Sequence, residues 1–245
     1  IFDNSKINLG IQKVTNDSYL DDYNIQTDID ENNVLNYKTL NSYIDYEADN
    51  ENTNLDISLA VYEDLNKNKT DRYEYIYPSI NLQKNLPNIS ENLFYNLSLE
   101  QKQYETNISE KSLINDLIYE SESNILNSGI ETNHNFLLRN VNLEAKNSEK
   151  YKNETDSSLM GLLQVNADYP LVKINENNRQ ILKPKLAFMY SPNKTRNITN
   201  EDKKIDINNI FLYDRLGSDE TVEGGTSATY GGSYSISDQS NKDIF

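Results

Sequence analysis

An all-β antiparallel meander is what this sequence predicts, on three observations. Apolar and polar residues alternate with period 2 through most of the chain. Stretches rich in Asn, Asp and Lys separate the alternating runs and read as turns. Finally, 18 Tyr and 6 Phe, set among many Ile, Leu and Val, supply the β-forming residues that disordered chains lack.

In chain order, Ile7, Leu9 and Ile11 alternate with Asn8, Gly10 and Gln12 before a polar, Asp-rich segment. The next run places Leu40, Ser42, Ile44 and Tyr46 on one face. The turn DNENTN then leads to Leu55, Ile57, Leu59 and Val61, so the two runs predict a hairpin. After NKNKTD, Tyr73, Tyr75 and Tyr77 share a face, and Pro78 marks an edge, a bulge or an interrupted ladder. Leu93, Tyr95, Leu97 and Leu99 form the following strand. Between Ser112 and Asn127, the three- and four-residue spacing of Leu113, Ile114, Leu117 and Ile118 lets a helical turn compete with an extended connection.

Alternation resumes from Gly129. The run from Ser158 to Lys173 puts Leu159, Leu163, Val165 and Tyr169 on one face with Gly161 between them. Leu182, Leu186, Phe188 and Tyr190 share a face in the next run, and a long polar loop leads to a Gly-Gly step and a last strand. The total is about nine or ten strands with no defensible helix. Polar residues on the opposite faces suit a barrel with a wet interior or a one-sided sheet.

Composition narrows the function. With 39 acidic against 23 basic residues, the net charge of -16 excludes nucleic acid as a partner, because phosphate backbones need clustered Lys and Arg. Such a surface serves solubility or gathers divalent cations. The chain has no cysteine, so thiolate chemistry and disulfides are excluded. No apolar run approaches the roughly 18 residues of a membrane helix, but a transmembrane strand carries apolar residues only at alternate positions and escapes that test.

Catalytic constellations are missing. His134 has no second His or Cys beside it and reads as a surface or lumen residue. The Asp-rich segment lacks the glycine of a calcium loop. No Lys-Ser/Thr follows Gly224-Gly225 or Gly231-Gly232, so these pairs mark a bulge, a bend or a close backbone approach rather than a phosphate cradle. Asn-x-Ser/Thr triplets at Asn88, Asn96, Asn107, Asn153 and Asn197 reflect an Asn-rich composition. The terminal Phe245 lacks the alternation that precedes the aromatic end of a barrel chain. No catalytic, cofactor or metal residue is assigned.

Several blocks nevertheless carry a family likeness. They are LKPKLAFMYSPN with Pro184 and Pro192, NNIF with Asn208 and Phe211, Asp214-Arg215, and VEGGTSATYG with Glu223, Gly224 and Gly225. Upstream stand DYPLVK with Tyr169 and Pro170, and DSYLDDYNI from Asp17 to Ile25. In order and spacing they resemble the barrel region of the LptD family, outer-membrane lipopolysaccharide-assembly proteins.

The resemblance implies that residues 1–245 form one partial domain, an internal piece of a large transmembrane β-barrel in the cell outer membrane. It further implies an open, curved sheet with edges prone to pairing. The implied partners are lipopolysaccharide, a plug lipoprotein inside the barrel, periplasmic bridge proteins and the lipid bilayer, with no cofactor and no bond chemistry. Asn208, Phe211, Arg215 and Glu223-Gly224-Gly225 would order a long loop and restart the barrel wall. Tyr73, Tyr77, Tyr169 and Tyr190 suit an interface girdle, or ordinary β propensity. Two alternatives stay open: another outer-membrane barrel, such as a porin or plugged receptor, and a soluble secreted all-β binding or adhesion module.

Overall fold

The computed structural model describes residues 2–25, 28–29, 35–36, 38–175, 178–196 and 205–238. Asn197, Phe245 and most of the Asp-rich segment after Ile25 lie outside them. The elements are β1 (Asn4–Gly10), α1 (Tyr19–Asp22), β2 (Asp28–Ile29), β3 (Leu35–Asn36), β4 (Thr39–Asn50), β5 (Thr53–Asp64), β6 (Tyr73–Asn85) and β7 (Leu93–Tyr104). They continue with β8 (Ile108–Glu120), β9 (Asn124–Ile125), β10 (Glu131–Lys146), β11 (Thr155–Asp168), β12 (Leu171–Ile174), β13 (Asn178–Ser191) and β14 (Gly225–Asp238). Among the described residues the one helix is a single turn, whose Leu20 packs with Leu40 and Leu65.

Twelve strands form one antiparallel sheet in chain order, with β2 and β3 as a separate ladder. Two of the twelve prolong a neighbour. β11 and β12 both pair with β13, as Leu163↔Tyr190 and Leu171↔Leu182, in one unbroken register. They are a single row interrupted at Pro170, which has no N–H for the ladder. β8 and β9 also both line β10, with the register shifted by one residue between them. Twelve segments less these two continuations leave ten rows, within the nine or ten that the alternation predicts. β1 and β14 do not pair with each other, so the sheet is open among the described residues.

Period 2 gives the sheet two chemically different faces. The register aligns Ile44 with Leu59, Tyr46 with Ile57, Ile80 with Leu99, Val165 with Phe188, and Leu186 with Tyr230. This outer face stays open: Leu159 is 61% exposed and Phe188 49%. Towards the far ends of β8, β10 and β11 it turns polar, where Asn142 donates to Asn140 at 2.6 Å and Ser157 to Asn142 at 2.6 Å. The inner face carries Asp45, Glu47, Asp56, Asn81, Asn96 and Ser98 on β4 to β7. Connections at one end of the sheet are 51–52, 86–92, 126–130 and 175–177, whereas the other end carries 11–38, 65–72, 105–107, 147–154 and 192–224. The two longest connections, 11–38 and 192–224, lie at the same end, as in a transmembrane barrel.

Two sequence expectations resolve here. The segment 112–127 contains no helical turn: β8 is a strand through Glu120. Leu113 and Leu117 face out, and Ile114 and Ile118 face in, with Ile114 in a buried cluster and Ile118 packed against it. A strand apolar on both faces shows the same three- and four-residue spacing as a helix. Pro78 lies not at an edge but inside the sheet. The register slips between Ile76 and Ser79 against β7 and between Ser58 and Ala60 against β5, and this bulge accommodates the missing N–H.

Candidate functional site

The site is built where residues 192–196 leave β13 and residues 205–224 lie on the inner face and lead into β14. Its stem is made by side chains. Asn193 Nδ2 donates to the Leu159 carbonyl at 3.1 Å, and Asn193 Oδ1 accepts from the Gly161 N–H at 2.8 Å. The asparagine amide thus continues the β11–β13 ladder past the end of β13. On the other side, Arg196 N–H donates to Thr221 Oγ1 and Gly224 N–H to Thr195 Oγ1, both at 2.8 Å.

Both glycines of the Gly-Gly step are required. A Cβ on Gly224 would lie 2.2 Å from the Asn193 carbonyl oxygen, and Gly225 has φ +93°, which L side chains rarely adopt. Beyond the stem, residues 205–224 pack against β8, β10, β11, β13 and β14. Val222 is fully buried with Leu137, Val141, Met160, Leu162 and Met189.

Two guanidinium groups fix the register of this loop. Arg139, on the inner face of β10 and 3% exposed, uses all five of its N–H donors. Nε and Nη2 grip the Asp116 carboxylate at 2.9 and 2.7 Å, Nη2 also reaches Asp214 at 2.9 Å, and Nη1 donates to the carbonyls of Ser218 and Thr221 at 2.9 and 3.0 Å. Arg215 does the reverse, from loop to wall. It grips Glu223 at 2.5 and 2.6 Å and donates to the Ile210 carbonyl, Thr229 Oγ1 and Ser227 Oγ at 3.1, 3.0 and 2.9 Å.

The two kinds of contact contribute differently. Burying Val222 stabilises the docked loop by about 1.5–3 kcal/mol. A buried ion pair contributes little net, yet losing one partner costs about 3–5 kcal/mol, so the guanidinium groups select one loop position. Not every polar atom is matched: Asp214 Oδ1 and Glu220 Oε2 are buried without a partner. Burial pushes the Asp214 carboxyl above the usual carboxylate range, and Arg139 only partly offsets it. Lys150 reaches Glu220 at 2.9 Å, and the Tyr151 hydroxyl also donates to it, tying the connection 147–154 to the loop.

Of the residues singled out in the sequence, the structure brings Phe211, Arg215, Glu223, Gly224 and Gly225 together. The Phe211 ring lies over Gly231, where a Cβ would approach it to 2.9 Å. Tyr169, Pro170 and Pro184 meet elsewhere in the wall, where Tyr169 N–H donates to the Pro184 carbonyl at 3.0 Å beside the β11–β12 break. Pro192 is exposed at the stem, and Asn208 is exposed in a turn closed by its N–H on Asp206. His134 is exposed on the outer face, 5.7 Å from the Tyr119 ring.

Sequence reasoning missed Arg139, Asp116, Asn193 and Val222. For Arg139 a signal existed: FLLRNVNLEA is apolar at both parities, which marks a strand covered on both faces, and an Arg inside such a run needs a buried partner.

An open antiparallel sheet with one apolar, uncovered face and one polar face carrying a folded-in loop defines the wall of a transmembrane β-barrel. The model of one family, described as LptD, LPS transport system D, matches residues 1–245. The chain belongs to the LptD family, whose members act in lipopolysaccharide transport in the outer membrane. No curated protein matches the chain.

Proposed function

We propose that this chain, as a single domain, forms part of the wall of a barrel in the cell outer membrane that delivers lipopolysaccharide to the outer leaflet without bond chemistry. The observation that carries the reading is the pair of faces. Apolar side chains stand on the outer one in all ten rows, giving way to polar ones only towards the far ends of β8, β10 and β11, and the inner one is polar where the loop does not cover it. From Leu159 to Ala167 the outer-facing positions of β11 are apolar or Gly, which suits the roughly 9–11 residues of a tilted transmembrane strand.

In this reading the end with the long connections faces outside the cell, and the inner face lines the path of the lipid. A plug lipoprotein and periplasmic bridge proteins are the proposed partners. Phe211, Arg215 and Glu223-Gly224-Gly225 hold the loop against the wall, and Tyr169, Pro170 and Pro184 shape the wall opposite it.

The test is depletion of the protein that carries this chain, with lipopolysaccharide at the cell surface as the readout. Surface lipopolysaccharide is expected to fall and to return on re-expression. Unchanged surface lipopolysaccharide, or a protein that stays monodisperse without detergent, would refute the reading.

A further inference from the structure

We propose that Arg139 is a latent anion site on the inner wall, occupied by Asp214 and the Ser218 and Thr221 carbonyls in place of a phosphate group of the transported glycolipid. This deepens the transport reading and rests on it. Asp116 belongs to the wall strand β8 and holds Nε and one Nη2 donor, so the guanidinium plane stays fixed whatever the loop does. The three remaining donors all point at loop acceptors. Once the loop lifts, the wall presents a pre-oriented fork of three free N–H groups, a geometry that suits phosphate better than a flexible Lys does.

Three observations favour a phosphate over the loop as the better occupant. Asp214 fills one donor through Oδ2 while its Oδ1 is buried with no partner. A phosphate monoester offers three acceptor oxygens to the same fork. Departure of the loop also removes the carboxylates of Asp214, Asp219 and Glu220, so the wall becomes more positive as the site opens. The same movement uncovers a second cation, because Phe211 lies 5.9 Å beneath the Lys185 ammonium. The loop is thus a displaceable imitation of the ligand: it closes the inner face when no lipid is present and yields to lipid phosphate.

The chain has no cysteine, which makes a single introduced thiol a clean reporter. In detergent-solubilised full-length protein, Val222→Cys, with Leu216→Cys as a second reporter, is expected to react slowly with maleimide alone. Bisphosphorylated lipid A should speed labelling at least about tenfold, and the dephosphorylated lipid should not. Release by inorganic phosphate at matched concentration would support a general anion site, and no release by it would assign the site to the glycolipid.

Arg139→Gln is expected to raise the lipid A concentration for half-maximal labelling of the Leu216→Cys reporter about tenfold or more, and Val222→Ala, which loosens the docked loop without touching the fork, to lower it severalfold. A purely structural role would move both variants the same way, and that result would overturn the proposal. Saturable lipid A binding without faster labelling would also overturn it while leaving the transport reading intact. If wild-type and Val222→Ala proteins both fail to bind lipid A, both readings fall.

Discussion

Three glycine-to-alanine substitutions, one in β11 and two at the Gly-Gly step, separate the causes that make a glycine necessary. Each adds one methyl group. At Gly161 the nearest non-neighbouring atom to the new Cβ is the Leu137 carbonyl oxygen at 4.0 Å, so Gly161→Ala is expected within about 0.5 kcal/mol of wild type. At Gly225 nothing lies within 4 Å, but φ is +93°, and holding Ala in a left-handed conformation costs about 1–2 kcal/mol.

At Gly224 the methyl group would meet the Asn193 carbonyl oxygen at 2.2 Å, Thr195 N at 2.7 Å and Lys194 Cα at 2.9 Å. All three are backbone atoms and no rotamer relieves the overlap. The stem must open by about 1 Å to ordinary contact distance, which strains the packing by about 1–3 kcal/mol. Opening also breaks the Gly224 N–H bond to Thr195, for about 1 kcal/mol more. The expected order of loss is therefore Gly161 below Gly225 below Gly224, the last at roughly 2–4 kcal/mol.

Trypsin cleavage after Lys194 and Arg196 in the folded, detergent-solubilised protein measures it, since both lie in the stem. Gly224→Ala should be cut at least about tenfold faster than Gly161→Ala. Equal cleavage of these two would refute the close approach of the stem strands.

Two further outcomes follow from the faces and from the buried carboxylate. Leu163→Arg and Phe188→Arg place a charge on the outer face and should each cost about 2–4 kcal/mol in a lipid bilayer, whereas Ser98→Lys on the inner face should cost far less; urea unfolding in lipid vesicles reads the difference, and equal costs would count against the assigned faces. Asp214 is packed against Arg139, Asp116, Asp219 and Tyr213. Its folded-state pKa is raised, so the docked loop binds more protons than the free one, and Asp214 contributes progressively more to docking as pH falls through the raised pKa towards the ordinary value of 3.8. Loop protection from trypsin should therefore respond less to that fall in pH in Asp214→Asn than in wild type; identical pH profiles would refute the assigned burial.

How much of this was readable in advance depended on whether the pattern had one physical cause or two. β4 and β5 each carry their apolar residues almost wholly on one side, so their period is clean and their hairpin closes as expected, at Asn50 and Thr53. β8 and β10 face bilayer on one side and a folded loop on the other, and two overlapping apolar sets imitate a helical repeat. The loop residues Arg215, Glu223, Gly224 and Gly225 could be singled out because they stand close together in the chain. Arg139 could not be joined to Asp214 and Thr221, because those residues lie 75 and 82 positions away in the chain and the contact depends on which way the loop folds.

The alternation alone settles that this chain is a meander of about ten rows with one apolar face, since side chains on a strand must point to opposite sides and only the order of residues decides which set is apolar. The blocks around Pro184, Arg215 and Gly224-Gly225 were enough to suggest the family. Three-dimensional packing settles the rest: that the connection 192–224 turns inward, that Asn193 replaces a ladder bond, and that Arg139 reaches Asp214, Ser218 and Thr221. These contacts join residues far apart in the chain, and their energies depend on distance and burial, which no local pattern of residue types encodes.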